Sequence, residues 1–394
     1  MVSREIVKGI FWVGAIDFDR RIFDELIPLP EGTSYNSYLI HGSEKTALID
    51  TVDPTREFDL FSNLMRLGID RIDYVIVNHA EQDPSGTLPM VLECFPEAVV
   101  VTNEKCKAFL VALLHLEENR IMVIGDKETL SLGDRTLEFF LTPWTHWPET
   151  QITYLREDKI LFPCDLFGSH IATSDLYVTD EAHIYRSAKR YYAEIMMPFR
   201  GSIKGYVEMV KKLQLEMIAP SHGPIYRHPG FILDAYADWV SDAVKNEVVI
   251  AYVSMHGSTQ KMVEHLIGAL ISRGITVKPF NLTRTDIGEL AVSLVDTATV
   301  VIATPTVLFG PHPQVVYATY LANMLRPKMR FASVIGSYGW GGQATETIVK
   351  MLSHVKIEII EPVMVKGLPD ESTFKALERL ADTIAEKHRG IHIV

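Results

Sequence analysis

Cysteine is scarce in this 394-residue sequence, and its three cysteines are widely spaced. Cys94, Cys106 and Cys164 include no close pair. An odd and scattered set argues against a disulfide framework, which small secreted domains build from paired cysteines. It argues equally against a metal site made of thiolates.

Long apolar runs and an excess of basic residues are also missing. No apolar stretch approaches the ~20 residues that a membrane helix needs. The first residues, "MVSREIVKGIFWVG", contain neither a long apolar core nor a small-residue cleavage site, so we expect no signal peptide and a cytoplasmic protein. The formal net charge is −12, whereas nucleic-acid binders are normally basic. We therefore expect neither a membrane nor a nucleic acid as partner.

The sequence does contain two unlike halves. The first mixes short apolar strands, such as "DYVIVN" and "KILFP", with helical patterns over residues 54–67, 103–114 and 182–196. From Glu247 onward five strands alternate regularly with helices, which is typical of a doubly wound parallel sheet. The boundary predicted from this change gives one domain over residues 1–246 and a second over 247–394.

Histidines and carboxylates follow several strands of the first half. His79 ends one apolar strand, and Glu81 and Asp83 alternate with it in "HAEQDPSG". In an extended segment, residues two apart face the same side, so these three side chains should converge. Later strands are followed by His146, Asp165 and His222. A single histidine at a strand end is usually a surface or hydrogen-bonding residue, and a single aspartate usually a turn or cap, so the combination carries the prediction.

This mixed set of nitrogen and oxygen donors suits iron or manganese and could accept zinc. Carboxylates can bridge two metals, and six ligands are more than one tetrahedral zinc would use. The pattern therefore predicts a dinuclear metal site, with the six residues acting in catalysis through the metals.

The same residues resemble the metallo-β-lactamase superfamily, whose usual motif is His-x-His-x-Asp-His. Glu81 stands in place of the second histidine, and this replacement is similar to the flavodiiron subgroup, which binds two irons. The segment "DRRIFDELIPLPEGTSYNSYLI" also resembles that family, and the likeness runs over essentially the whole chain. It implies an α/β protein in which a metallo-β-lactamase-like αββα sandwich precedes a flavodoxin-like doubly wound parallel sheet of five strands. It further implies that His79, Glu81 and His146 bind one iron, that Asp83 and His222 bind the other, and that Asp165 bridges them.

One position departs from the family pattern. The motif usually continues with histidine after the aspartate, but here the residue is Pro84. Because proline has no metal-binding side chain, the second iron should lack one imidazole unless water or another residue takes that position.

A loop rich in hydroxyls follows the first strand of the second half. The strand "EVVIAYV" runs into Ser254, Met255, His256, Gly257, Ser258 and Thr259, after which a helix begins. Free N–H groups at a helix start bind phosphate well, and glycine permits close approach of the backbone. The loop ends neither as a Walker A motif nor as G-x-G-x-x-G. It resembles flavodoxin, which uses such a loop for the phosphate of FMN, although His256 replaces the tyrosine or tryptophan often present there.

Two further loops belong to the same prediction. They lie at the carboxyl ends of the third and fourth strands of this half, where doubly wound sheets bind ligands. Their candidate FMN-binding residues are Pro305, Thr306, Val307 and Leu308 in one loop, and Ser337, Tyr338, Gly339, Trp340, Gly341 and Gly342 in the other. Trp340 alone would more simply be a hydrophobic plug between helices, but a plug has no need of so many neighbouring glycines.

The resemblance implies an oxidoreductase that reduces O₂ to water, NO to N₂O, or both, with FMN relaying electrons to the diiron centre. It implies a head-to-tail homodimer, with a dimer of dimers as an alternative assembly. Two Cys-x-x-Cys pairs are absent from the sequence, so we expect no attached rubredoxin module and a separate rubredoxin or flavin reductase as electron donor. The preferred gas and the identity of the donor remain open.

Three other interpretations compete with this one. The first is a zinc hydrolase of the metallo-β-lactamase fold with a fused flavodoxin domain, against which Glu81 argues. The second is a flavin electron carrier with a vestigial metal domain, against which the six-residue set argues. The third, a nucleic-acid-processing enzyme of the same fold, is disfavoured by the acidic charge.

Overall fold

The computed structural model describes residues 2–393 of the chain. Within that range the chain divides into two compact units. The first unit contains the residues up to Tyr192 together with Phe199–Val240, and the second contains Ala193–Pro198 together with the residues from Ser241 onward. The division of the chain into domains over residues 1–246 and 247–394 stays a prediction.

The first unit begins with short strands and continues with strands separated by helices. Its elements are β1 (Arg4–Val7), β2 (Ile10–Trp12), β3 (Ala15–Asp17), β4 (Ile22–Phe23), β5 (Ile27–Pro28), β6 (Thr33–Tyr35), β7 (Tyr38–His41), β8 (Thr46–Ile49), α1 (Glu57–Arg66), β9 (Tyr74–Ile76), α2 (Gln82–Ser85), α3 (Leu88–Cys94), β10 (Val99–Thr102), α4 (Glu104–Leu114), β11 (Ile121–Val123), β12 (Thr129–Ser131), β13 (Thr136–Leu141), β14 (Gln151–Leu155), β15 (Ile160–Phe162), α5 (Glu181–Tyr191), α6 (Arg200–Val210), β16 (Met217–Ile218) and α7 (Pro229–Trp239).

Two mixed sheets form the centre of this unit. In the part of the chain that the structure describes, one sheet has seven strands in the order β1-β2-β7-β8-β9-β10-β11, and the other has five in the order β12-β13-β14-β15-β16. Strands β8 to β11 run parallel, and β12 to β15 run antiparallel. Strand β16 then joins β15 in parallel.

Apolar side chains of the two sheets pack face to face. Ile10 and Tyr38 of the first sheet share one buried cluster with Phe139 and Phe162 of the second. Fully burying side chains of this size contributes roughly 1.5–3 kcal/mol each. This layer holds the two sheets together, and thereby holds the loops at their strand ends.

Helices cover the outer face of the first sheet. A second buried cluster joins Leu64 of α1, Val91 of α3 and Leu110 of α4 to the strand residues Leu48 and Val75. Helices α5, α6 and α7 pack against one another as a separate group. The αββα sandwich implied by the family resemblance is confirmed.

Local sequence signals set several helix limits. Asn103 accepts hydrogen bonds from the N–H groups of Lys105 and Cys106, and so caps the start of α4. The helix predicted over residues 182–196 is α-helical only as far as Tyr191, because a π-turn follows over Tyr192–Met196. A short 3₁₀ turn over Met197–Phe199 then precedes α6.

The second unit alternates strands and helices. Its elements are β17 (Lys245–Tyr252), α8 (Ser258–Ile271), β18 (Thr276–Asn281), α9 (Ile287–Leu294), β19 (Thr297–Val307), β20 (Gly310–Pro311), α10 (Pro313–Leu325), β21 (Phe331–Tyr338), α11 (Ala344–Met351), β22 (Glu358–Ile359), β23 (Val363–Lys366) and α12 (Glu371–Gly390).

Its main sheet has the order β18-β17-β19-β21-β22, and all these pairings are parallel. Strand β23 also pairs in parallel with β21, so β22 and β23 are two pieces of one interrupted fifth strand. Strand β20 only extends the end of β19 as a short antiparallel hairpin. The predicted doubly wound sheet of five strands is confirmed.

Helices cover both faces of this sheet. Leu266 of α8 and Leu380 of α12 pack on one face with Val301 of β19. Leu290 of α9 and Val315 of α10 pack on the other. Across residues 2–393, no helix is both long enough and apolar enough to cross a membrane.

Candidate functional site

Four of the predicted metal ligands lie together in the first unit. One potential ligand atom from each of His79, Glu81, His146 and Asp165 lies within 4.8 Å of every other. His79 follows β9, His146 lies between β13 and β14, and Asp165 follows β15. The loops at the strand ends therefore bring residues that are far apart in sequence to one place.

Glu81 and Asp165 lie against the same pair of imidazoles. Glu81 Oε2 is 3.1 Å from both His79 Nε2 and His146 Nε2. Asp165 Oδ2 is 3.5 Å from each of the same two nitrogens. Two nitrogens and two carboxylate oxygens thus surround a single point.

The other oxygen of Asp165 faces a second group. His222 Nε2 lies 3.4 Å from Asp165 Oδ1 and 2.9 Å from Asp83 Oδ2. Ser221 Oγ donates a 2.8 Å hydrogen bond to Asp165 Oδ1 and helps to orient this carboxylate. All six predicted residues are therefore brought together, with Asp165 between the two groups.

The sequence predicts an extended segment from His79 to Asp83, and this prediction is wrong for the second part of the segment. Glu81 has extended backbone angles, but α2 begins at Gln82, and Asp83 lies in its first turn. Because the chain turns into a helix there, the carboxylate of Asp83 faces His222 instead of joining Glu81. The side chains of His79 and Glu81 still meet, as alternation in an extended segment predicts.

The pKa values of the side chains in this cluster are shifted strongly from their ordinary values. Burial alone would lower the pKa of His146, but hydrogen bonds to Asp165 and Glu81 raise it to about 9. Burial would also lower the pKa of His222, but the adjacent carboxylates of Asp165 and Asp83 raise it to about 10. Burial opposes ionisation of Glu81, yet His146 and His79 lower the pKa of its carboxyl to about 2. The cluster stabilises positive charge, which is the property that a cation site requires.

The surroundings of Asp83 show whether these residues fit a metal. Its side chain is buried, and burial raises its pKa to about 6 despite the opposing effect of His222. Within residues 2–393 neither of its carboxylate oxygens makes a hydrogen bond of acceptable direction, although His222 Nε2 lies close to one of them. A buried carboxylate without hydrogen bonds is costly, and a cation shared with His222 would satisfy it. The donor set therefore fits a pair of metal ions.

Pro84 contributes no ligand from its side chain. Its carbonyl oxygen instead accepts hydrogen bonds from the backbone N–H and the hydroxyl of Thr51, which tie α2 to the segment after β8. Position 84 thus supplies no imidazole to the cluster, and the coordination of the second metal stays a prediction.

Several groups beside the cluster are not distinguished by the sequence. Glu149 accepts a hydrogen bond from His79 Nδ1, and the carbonyl of Ser34 accepts one from His222 Nδ1. Asp24 lies beside Glu81, and burial followed by the charge of Glu81 raises its pKa to about 6. No spacing pattern links these residues to the ligands, since the contacts form only when the sheets pack.

His170 and Tyr192 are two further buried side chains of the first unit that lie outside the predicted ligand set. The ring of His170 bonds to the Thr33 hydroxyl through Nδ1 at 2.9 Å. Tyr192 is buried against Tyr236 and Trp239.

The predicted flavin loops meet at one edge of the second unit. The first follows β17, and the other two begin within the last residues of β19 and β21; these three strands are neighbours in the sheet. Ser254 Oγ accepts a 3.1 Å hydrogen bond from the N–H of Gln260 in the first turn of α8. Thr259 and Ser337 are both buried, and their hydroxyls lie 3.3 Å apart, which ties the first loop to the third. Gly257, with φ 87°, makes the turn into the helix.

The second and third loops are also joined. The N–H of Gln343 donates to the carbonyl of Phe309 at 2.9 Å. Gly342 has φ 147°, and a Cβ placed on it would lie 2.5 Å from Thr306 Cγ2. Only glycine lets these two loops approach so closely.

Large apolar side chains project from these loops. Trp340 is 78 % exposed and Leu308 is 89 % exposed, while Met255 and His256 are exposed in the first loop. Tyr338 is half-buried. Such a cluster of exposed apolar side chains is typical of a binding surface, and its position at the carboxyl ends of the strands is where this fold binds ligands.

Comparison with known proteins agrees with both units. Residues 33–223 match the family model described as ODP family beta lactamase, and residues 250–379 match the flavodoxin family. The chain is 37 % identical to a nitric oxide reductase of Moorella thermoacetica, over 90 % of each chain. It is 32 % identical to a rubredoxin-oxygen oxidoreductase of Megalodesulfovibrio gigas, over 98 % of each chain.

Solved structures show the same likeness over the whole length. Rubredoxin oxygen:oxidoreductase from Desulfovibrio gigas superposes with a TM-score of 0.94 at 30 % identity, covering 98 % of this chain and 99 % of that one. A flavodiiron protein from Giardia intestinalis superposes with a TM-score of 0.89 at 29 % identity, covering 98 % of each chain. This chain therefore belongs to the flavodiiron protein family of oxidoreductases.

Proposed function

We propose that this protein is a flavodiiron reductase that reduces dioxygen to water, nitric oxide to nitrous oxide, or both. The observation that carries the proposal is the position of Asp165, whose two carboxylate oxygens face two separate groups of imidazole and carboxylate ligands. One carboxylate between two such groups is how a protein holds a pair of metal ions.

The proposed metal ligands divide as the two groups do. His79, Glu81 and His146 would hold one iron, Asp83 and His222 would hold the other, and Asp165 would contribute one oxygen to each group. Nitrogen and carboxylate ligands without thiolate favour iron over copper(I) or a structural zinc site. When bound, the iron pair would supply open coordination positions for a small gas and the electrons that reduce it.

Aromatic side chains surround the second group of ligands. Phe23 and Tyr191 pack against the ring of His222, with centroids 6.3 and 5.9 Å away. Tyr191 and Phe23 are themselves buried. These rings limit the access of water, while a small uncharged gas enters an apolar surround at little cost.

FMN is the proposed cofactor of the second unit. The N-terminus of α8, with the loop from Ser254 to Thr259, would bind its phosphate. The residues from Pro305 to Leu308 and from Ser337 to Gly342 would flank the isoalloxazine ring, with Trp340 covering part of it. The exposed apolar area of these loops supports this assignment.

The proposed assembly is a head-to-tail homodimer, in which the flavin of one subunit serves the metal centre of the other. Exposed apolar side chains in each unit support it. They include Leu308, Phe309 and Trp340 at the flavin loops, and Phe18, Leu26 and Trp144 in the first unit. Electrons would come from a rubredoxin-type donor, as the name of the M. gigas relative indicates for that protein, or from a flavin reductase. A cytoplasmic location is part of the same proposal.

The test is to purify the protein anaerobically, measure iron, zinc and FMN per chain, and follow O₂ and NO consumption separately with reduced rubredoxin. We expect two irons, one FMN and rapid consumption of at least one gas. Asp83→Ala should abolish consumption, and Asp70→Ala, an exposed aspartate of the same unit, should not. Zinc without iron would instead indicate the hydrolase, and FMN without gas consumption the electron carrier.

A further inference from the structure

Glu149 lies directly behind one of the proposed metal ligands. Its side chain is fully buried. Glu149 Oε1 lies 2.7 Å from His79 Nδ1 and accepts a second hydrogen bond, of 3.1 Å, from the N–H of Ala80. Both bonds go to the same oxygen, so the carboxylate is directed at the backbone and the ring of His79 together.

These contacts determine which nitrogen of His79 is free. A carboxylate oxygen can only accept, so Nδ1 of His79 carries the proton and donates it to Glu149. Nε2 of His79 is then the nitrogen that faces Glu81 and Asp165. A histidine that donates to a carboxylate in this way is also a stronger electron donor to a metal on its other nitrogen.

His222 has a different support. Its Nδ1 donates a 2.7 Å hydrogen bond to the backbone carbonyl of Ser34, which is neutral. The imidazole of His79 is therefore backed by a full negative charge and that of His222 by a carbonyl dipole. This difference adds to the one in the ligands themselves, since the first group has two imidazoles and the second has one.

The carboxylate is held on a rigid support. Asn103, the cap residue of α4, donates from Nδ2 to the backbone carbonyl of Glu149 at 2.7 Å and to Gln151 Oε1 at 2.9 Å. The rings of Trp147 and His79 pack nearly perpendicular to each other, with centroids 5.1 Å apart. The ring of His79 consequently has little freedom to turn away from the cluster.

We propose that Glu149 is a positioning residue of the metal centre, which fixes the Nδ1–H form of His79 and strengthens metal binding at the position formed by His79, Glu81 and His146. This inference rests on the proposed dinuclear site. It assigns to Glu149 no contact with the substrate.

The test uses Co²⁺ as a spectroscopic probe, titrated anaerobically into the metal-free full-length protein. We expect the wild-type protein to bind two Co²⁺ per chain. Glu149→Ala should weaken one of the two sites by about 10- to 100-fold and leave the other nearly unchanged. Glu149→Gln should lose less, because an amide oxygen can still accept from Nδ1 and from Ala80.

Asp50→Asn is the matched control. Asp50 is also a buried carboxylate near His79, but it accepts its hydrogen bonds from the backbone and side chain of Asn78. We expect this variant to show no loss confined to one site. Thermal unfolding of all the variants, measured without metal, shows whether each one folds.

The inference fails if a folded Glu149→Ala protein binds both Co²⁺ ions as tightly as the wild type, or if Glu149→Gln and Glu149→Ala lose equal affinity. It also fails if Asp50→Asn shows the same loss at one site, or if the wild-type protein binds no Co²⁺. Because Co²⁺ binding needs no turnover, a protein that consumes neither gas but shows the expected variant pattern would contradict the proposed reaction alone.

Discussion

At the scale of single residues, the bridging position of Asp165 has a consequence for metal content. Asp165→Ala removes an oxygen from both groups of ligands, whereas His146→Ala removes a ligand from one. We expect reconstituted Asp165→Ala to retain almost no iron, and His146→Ala to retain about half of the wild-type amount. Elemental analysis after gel filtration measures both, and equal retention in the two variants would show that Asp165 serves only one metal.

His388 in α12 makes the stability of the second unit depend on pH. Its imidazole is buried, bonded to Thr299 Oγ1 at 2.7 Å and to Asn246 Oδ1 at 2.8 Å. Burial lowers its pKa from 6.5 to about 4. Between these values the unfolded chain binds more protons than the folded one, so this residue's contribution to stability is complete above pH 6.5 and is lost as pH falls to about 4.

The variant His388→Gln keeps a polar side chain but does not titrate. We therefore expect the unfolding free energy of the wild type to fall relative to that of His388→Gln as pH falls from 7 to 4. Urea unfolding at several pH values measures this difference. Curves that run parallel over the whole range would show that His388 does not titrate differently in the two states.

At the scale of elements, the approach of two loops in the second unit depends on Gly342. A Cβ at this position would lie 2.5 Å from Thr306 Cγ2 and 3.0 Å from the carbonyl oxygen of Phe309, at a φ of 147° that L-residues rarely adopt. Strain of this kind costs about 1–3 kcal/mol. We expect Gly342→Ala to separate the loops and weaken FMN binding by about tenfold or more, as measured by quenching of flavin fluorescence.

Gly268 offers the control within the same unit. It lies in α8, and a Cβ there would meet nothing within 4 Å. Gly268→Ala should keep the wild-type affinity for FMN and stabilise the helix slightly, since alanine has the higher helix propensity. Unchanged affinity in both variants would mean that the flavin does not need the two loops to be in contact.

At the scale of the whole molecule, the proposed homodimer predicts that activity depends on protein concentration. If the flavin of one subunit serves the metals of the other, dilution below the dissociation constant should lower the rate per chain while FMN and iron per chain stay constant. Sedimentation and gas consumption measured on the same dilution series test this. A monomer that turns over at the full rate at high dilution would exclude electron transfer between subunits.

The sequence alone determined the order of secondary structure in the second unit and the residues at its strand ends. Alternating strands and helices follow from local periodicity, and the loops from Ser254, Pro305 and Ser337 follow from that order. It also determined the set of metal-binding candidates, because each follows an apolar strand and the family resemblance joins them. Periodicity and caps are local properties, which a sequence shows directly.

The family resemblance implies how the candidates pair, but only the tertiary structure decided the local geometry that brings them together. Asp83 faces His222 because the chain turns into α2, although the sequence predicts an extended segment. Glu149 and Ser34 support the two imidazoles across 70 and 188 positions of the chain. Contacts of that length depend on how two sheets pack and on which register their strands adopt, and no local pattern encodes either.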